Sequence, residues 1–98
     1  MIAKKHLSGK KLILAVCDDA LLGKRFSQDN LQVDLASEFY NGSHMGQDML
    51  LSLINKAYII NAVGEETISM LKNIGLITED NIIRISGMPV ANILIDKA

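Results

Sequence analysis

The chain has 98 residues, 49% of them hydrophobic and 21% charged, with a formal net charge of −1. This balance excludes a disordered segment, because such segments combine low hydrophobicity with high net charge. The length predicts a single domain over residues 1–98. No stretch approaches the roughly 20 apolar residues of a transmembrane helix, and the lone Cys17 cannot form an internal disulfide. We therefore expect a cytoplasmic protein without a membrane partner.

A β-hairpin is predicted at the start of the chain. Residues 2–7 and 11–17 have the composition of strands, and the Ser-Gly-Lys sequence over residues 8–10 supplies a tight turn, because glycine accepts positive φ. The second of these strands is apolar on both faces. It is therefore expected to be central in a sheet and covered on both sides.

A short helical turn and a third strand are predicted next. Asp18 or Asp19 is expected to cap a helical turn over residues 20–26, which closes over the sheet. Residues 31–36 alternate apolar and polar side chains, the pattern of a half-exposed strand. The loop that follows, residues 37–46, contains an Asn-Gly turn and the aromatic pair that is expected to anchor it.

The second half of the chain alternates helices and strands. Apolar residues recur every three or four positions over residues 47–57 and 65–74, which predicts two amphipathic helices. Residues 58–63 lie between them and read as a buried strand. Residues 81–86 and 90–95 are predicted to be strands on either side of a Gly-Met-Pro turn.

This order of elements predicts an α/β fold of the α+β type. We expect a mixed β-sheet with an N-terminal hairpin, a central βαβαβ unit over residues 31–86 and a C-terminal strand, with the helices packed on the sheet. The strands of the central unit should be parallel and joined by right-handed crossovers. If the C-terminal strand 90–95 lies at an edge, pairing with a second copy would cover it, which predicts a homodimer.

Positive charge is concentrated near the start of the chain. Residues 1–25 carry a net charge of +4, whereas residues 26–98 carry −5. The cations of the first segment are Lys4, Lys5, Lys10, Lys11, Lys24 and Arg25. If they gather on one side of the molecule, they form a surface for RNA phosphates. The alternatives are an edge strand protected by lysines and, for Lys24 and Arg25, cations that complement a helix C-terminus. No aromatic residue lies among the lysines, so base stacking is not expected.

A second candidate site lies at predicted strand ends, where α/β sheets place small ligands. Its residues are Cys17, Asp18, Asp19, Gly64, Ser86 and Gly87. The two adjacent carboxylates disfavour a Cys17 thiolate, so we favour a helix-capping aspartate and a buried thiol. A phosphate at Gly64 would be repelled by Glu65 and Glu66. The single cysteine and two histidines have no metal-ligand spacing, so no metal or cofactor is expected.

Four blocks of sequence resemble one known family. They are AVCDDALLGKRF, EFYNG, NAVGEETI and GLITEDNIIRISGMPVA, and the resemblance covers about residues 11–91. In this order they resemble the small archaeal proteins of the domain of unknown function family 424. The family pattern has His after the equivalent of Pro89, where this chain has Val90. The resemblance implies a cytoplasmic, single-domain α/β protein associated with translation, and it assigns no catalytic residues.

Two functions follow from these observations. The first is a non-catalytic module that binds RNA or a ribonucleoprotein through the six cations. The second is a small-ligand-binding protein or an enzyme with its pocket at the carboxyl ends of the parallel strands. We favour the first, because the charge asymmetry is clear and no catalytic motif is present.

Overall fold

A computed structural model describes residues 1–95, and a six-stranded sheet forms its centre. The helices and strands are β1 (Ile2–Ser8), β2 (Lys11–Cys17), β3 (Arg25–Gln28), β4 (Leu31–Asp34), β5 (Ser43–His44), α1 (Gln47–Lys56), β6 (Ile59–Val63), α2 (Glu65–Asn73), β7 (Ile83–Ile85) and β8 (Met88–Leu94). Single 3-10 turns occur at Asp19–Leu21, Glu38–Tyr40 and Glu79–Asn81. None of the helices in this described part is long and apolar enough to cross a membrane.

The main sheet is mixed and has the strand order β5-β1-β2-β6-β8-β7. Strands β2 and β6 are parallel neighbours, and the other four neighbouring pairs are antiparallel. Strands β1 and β2 form the predicted N-terminal hairpin, and the helices pack on the sheet. The predicted fold class is therefore confirmed.

The strands of the predicted central unit do not pair with the neighbouring strands that were expected. The strand predicted at residues 31–36 is β4, and it pairs with β3 in a separate two-stranded sheet. Strand β7 runs in the same direction as β6, but β8 lies between them. The prediction of adjacent parallel strands across this unit was wrong, because apolar alternation indicates a strand and does not identify its neighbour.

The predicted helical turn over residues 20–26 was also wrong in extent. Helical structure is limited to the 3-10 turn at Asp19–Leu21, and Arg25 already belongs to β3. Gly23 has a φ of +90°, a conformation that glycine adopts without strain and that a helix does not continue through. The chain therefore turns at Gly23 and enters a hairpin.

The main sheet has two faces with different coverings. On one, which we call the helix face, α1 and α2 bury a core that includes Leu14, Ile60 and Leu71. On the other, the hairpin face, the β3–β4 hairpin covers a smaller core that includes Cys17 and Val63. The parallel pair β2 and β6 ends at Cys17 and Val63, which are register partners and belong to the smaller core.

Candidate binding surface

The first two lysines of the basic segment point to opposite faces of the sheet. Side chains alternate along a strand, and Ala3 on β1 packs with Leu14 on the helix face. Lys5 therefore lies on the helix side, whereas Lys4 points to the hairpin face. The Lys4 Nζ donates a hydrogen bond to the carbonyl oxygen of Glu38 at 2.6 Å. These adjacent lysines cannot contact the same flat surface of a partner.

The other cations lie at opposite ends of the sheet. Lys10 and Lys11 belong to the turn at the start of β2, and Lys24 and Arg25 follow its far end. A strand of seven residues spans about 20 Å. Arg25 is already paired, with its Nε 3.1 Å from Asp34 Oδ1. The expectation that all six cations gather on one side was wrong, because it ignored strand alternation and strand length. Their role in RNA binding stays a prediction.

Half of the hairpin face lies outside both hydrophobic cores. One row of register partners, His6, Ile13, Ile59 and Leu94, crosses β1, β2, β6 and β8 in sequence. In the next row Asn61 and Asn92 are register partners. None of these six residues belongs to either hydrophobic core. Asn92 and Leu94 are exposed, with Leu94 at 65%, and the other four are partly buried. We call these six residues the open half-face. Its aliphatic side chains offer a small apolar surface to another protein.

Basic and aromatic side chains border the open half-face. Lys4 lies beside it, and the ammonium group of Lys11 is 4.4 Å from the ring centroid of Tyr58. The rings of His6 and Phe39 are stacked, with centroids 4.4 Å apart and an interplanar angle of 6°. Sequence reasoning found no aromatic residue among the lysines. The fold stacks Phe39 on His6, which lies 33 residues earlier in the chain and on the same strand as Lys4 and Lys5, and no local pattern could indicate this contact.

The C-terminal strand is an edge strand over part of its length. Met88–Val90 pairs with β7 on one side and Val90–Leu94 pairs with β6 on the other, so the two pairings overlap at Val90. Beyond Val90, β7 has ended, and no other strand of the described residues pairs with that side of β8. The predicted edge is therefore limited to residues 91–94. A homodimer through it stays a prediction.

Asp18 has a structural role at the carboxyl end of β2. Its carboxylate accepts hydrogen bonds from the N–H groups of Glu66 (3.0 Å) and Thr67 (2.8 Å) and from the Thr67 hydroxyl (2.7 Å). It thus caps α2, which begins 47 residues later in the chain, and not the helical turn next to it. Gly64 permits this contact, because a Cβ there would overlap the Asp18 carboxyl group, and its φ is +114°.

Cys17 is not a nucleophile in this fold. Its side chain is completely buried in the smaller core. Burial, with the neighbouring Asp18 and Asp19 carboxylates, raises the pKa of Cys17 from 9.0 to about 11. The thiol is therefore protonated at neutral pH, and the thiolate is the reactive form. Tyr40 packs against the same core, where burial raises its pKa to about 12.

Asp19, Ser86 and Gly87 of the second candidate site do not converge with Cys17, Asp18 and Gly64. Asp19 lies 2.9 Å from the Met1 amino group and 2.8 Å from His44 Nδ1. The hydrogen bond from the Met1 amino group, with a smaller contribution from His44, lowers the pKa of Asp19. The Ser86-Gly87 turn is instead joined to β3, since the Ser86 hydroxyl donates to the Ser27 carbonyl oxygen at 2.6 Å. The structure therefore divides the six predicted residues into three separate groups.

A groove opens on the helix face instead. It has a volume of about 410 Å³ and lies between α1, α2 and the start of β1. Its lining residues are Met1, Met45, Gln47, Leu50, Glu66, Ser69, Met70, Asn73 and Ile74. It is close to the strand ends where a pocket was expected, but none of the six predicted residues lines it. Residues 1–95 hold no cluster of three or more side chains suited to a metal ion.

Comparisons with known proteins support the resemblance found in the sequence. Residues 6–95 match the sequence profile described as "Protein of unknown function (DUF424)". The crystal structure of an uncharacterized conserved protein from Methanopyrus kandleri has a similar fold, with a TM-score of 0.78 and 28% sequence identity. The match covers 99% of this chain and 94% of that one. A search of curated proteins gives no match.

Proposed function

The chain belongs to the DUF424 family of proteins of unknown function, and we propose that it is a non-catalytic binding module that contacts the protein component of a ribonucleoprotein through the open half-face. The observation that carries this proposal is a row of aliphatic side chains across three central strands, outside both hydrophobic cores: Ile13, Ile59 and Leu94. Leu94 is exposed, and the two isoleucines are partly buried. Aliphatic groups at a sheet surface favour a protein surface over a nucleic acid, which is bound by cations and stacking rings. The link to ribonucleoproteins rests on the association with translation that the family resemblance implies.

The charges around the open half-face define the partner further. Lys4, Lys10 and Lys11 belong to β1, β2 and the turn between them, next to the apolar row. A partner with an apolar centre and an acidic rim would complement this arrangement. Lys24 and Arg25 lie beyond the other end of β2 and are not part of the proposed contact.

The size of the surface predicts a transient complex. Four strands at a spacing of about 4.8 Å and two rows of side chains give a patch of roughly 15 by 15 Å. This is well below the roughly 800 Å² that each partner buries in a standard interface. The complex should therefore form and dissociate readily, unless neighbouring loops contribute further contacts.

The chain contains a matched pair of leucines that tests the proposal. Leu94 is 65% exposed on the open half-face, and Leu7 is 77% exposed on the helix side of the same sheet. The experiment is purification of the wild-type chain, Leu94→Asp and Leu7→Asp from native cells, each with and without ribonuclease. We expect the wild type and Leu7→Asp to retain the same protein partner after ribonuclease treatment, and Leu94→Asp to lose it.

Three results would contradict the proposal. A partner that is lost on ribonuclease treatment would indicate an RNA contact. Equal loss of the partner by both leucine variants would show that the introduced aspartate weakens binding wherever it lies, and that the open half-face does not determine binding. If the wild-type chain retains no protein partner, the proposal of a protein-binding surface is contradicted. The neighbouring variants Lys4→Glu and Lys5→Glu provide a second comparison, since only Lys4 borders the open half-face and only its replacement should weaken binding.

A further inference from the structure

Three polar side chains of the groove on the helix face lie on one side of α2. Glu66, Ser69 and Asn73 follow one another at spacings of three and four residues, so they lie along one side of α2. Their side chains have no hydrogen-bond or ion-pair partner within residues 1–95. Each of them offers an oxygen that can accept a hydrogen bond.

Apart from Gln47, the rest of the groove is apolar. Met1, Met45, Leu50, Met70 and Ile74 contribute side chains from both helices and from the start of β1. Methionine side chains are flexible and adapt to ligands of irregular shape. A volume of about 410 Å³ is sufficient for a small molecule, since ligand sites in proteins begin at about 300 Å³.

The lining of the groove has one ionisable side chain, the Glu66 carboxylate, and no lysine, arginine or histidine side chain of the described residues. Met1 also lines the groove, but the positive charge of its amino group is offset by Asp19 at 2.9 Å. The carboxylate of Glu66 is therefore the charge that a ligand would meet. A bound anion would therefore meet a carboxylate, whereas a cation would be attracted to it.

We propose that this groove binds a primary aliphatic amine, with the ammonium group at Glu66 and Ser69 and the alkyl chain on the methionine side chains. Glu66 and Ser69 are one turn apart on α2, and an ammonium group, which has three donors and no acceptor, can donate to both of their oxygens. Asn73 lies one turn further along the groove, beside the path of the alkyl chain. The proposal uses the helix face and does not depend on the open half-face, so either can fail without the other.

Three small molecules of equal chain length test the charge of the ligand. Hexylamine, hexanol and hexanoate would be titrated into the protein labelled with ¹⁵N, and amide shifts would be followed by NMR. We expect hexylamine to bind most tightly and to shift the amides of α2 near Glu66 and Asn73. Hexanoate that binds as tightly as hexylamine would overturn the proposal, as would the absence of any shift along the groove.

Two neighbouring glutamates provide the matched variants. Glu65 and Glu66 both lie in the first turn of α2, but Glu65 faces Arg84 outside the groove. Glu66→Gln should weaken hexylamine binding by about two- to five-fold, as for a partly exposed ion pair, and leave hexanol binding unchanged. Glu65→Gln should change neither. Equal effects of both variants would show a general change in helix stability and would contradict the assigned contact.

Discussion

Replacing Asp18 should destabilise the fold far more than replacing its neighbour Asp19. In Asp18→Ala, the N–H groups of Glu66 and Thr67 and the Thr67 hydroxyl lose their acceptor. A lost N-cap costs about 0.5 to 2 kcal/mol, and each buried group left unpaired costs about 1 to 3 kcal/mol. Thr67 is completely buried, so water cannot replace the carboxylate there. We expect the free energy of unfolding to fall by about 3 kcal/mol.

Urea denaturation followed by circular dichroism measures this change, with Asp19→Ala as the control. The Asp19 carboxylate is exposed and contacts the Met1 amino group and His44, so its removal should shift the midpoint much less. Asp18→Asn keeps one acceptor oxygen but loses the charge, and it should cost about 1 to 2 kcal/mol. A change below about 1 kcal/mol for Asp18→Ala, or equal midpoints for the two alanine variants, would refute the role of Asp18 as the cap of α2.

Three further outcomes follow from the same region and are measured by the same denaturation. Gly64→Ala should destabilise by more than about 2 kcal/mol, since a Cβ would overlap Asp18 at a φ of +114°; an unchanged midpoint would contradict this. Thr67→Val removes one hydrogen bond and keeps the shape, so it should cost about 1 kcal/mol, and a loss equal to that of Asp18→Ala would be inconsistent with the geometry. Because burial raises the pKa of Cys17 from 9.0 to about 11, the folded chain holds a proton that the unfolded chain releases. Stability should therefore fall as the pH rises through this interval, by roughly 2 to 3 kcal/mol. Cys17→Ala should remove that part of the fall and leave the part due to Tyr40, whose pKa is about 12.

Local patterns in the sequence identified most elements but not their partners. The two helices and the hairpin were predicted because apolar spacing and glycine turns are local signals. The position of β4 was not predicted, because the alternation of apolar and polar residues fits a strand in any sheet that buries one of its faces. The predicted helical turn over residues 20–26 included Arg25 and Phe26, the first two residues of β3, for a related reason: a strand of four residues carries too little periodicity to be distinguished from a turn.

The candidate site was harder to predict than the fold. Asp18 was recognised as a capping residue, yet the helix it caps lies far along the chain. The six cations were grouped by their proximity in sequence, whereas strand alternation separates Lys4 from Lys5. The open half-face could not be seen at all, because Ile13, Ile59 and Leu94 read as ordinary core positions until the covering of each face is known.

The parallel pairing of β2 with β6 has a consequence for the order of folding. It joins residues 46 positions apart, such as Ile13 and Ile59, whereas the β1–β2 and β3–β4 hairpins close over a few residues. Contacts between residues that are distant in sequence form late, because closing a long loop costs conformational entropy before any contact stabilises the closed loop. The bond between Asp18 and Thr67 spans 49 residues across the same loop. The centre of the sheet and the start of α2 should therefore become ordered in one late, cooperative step.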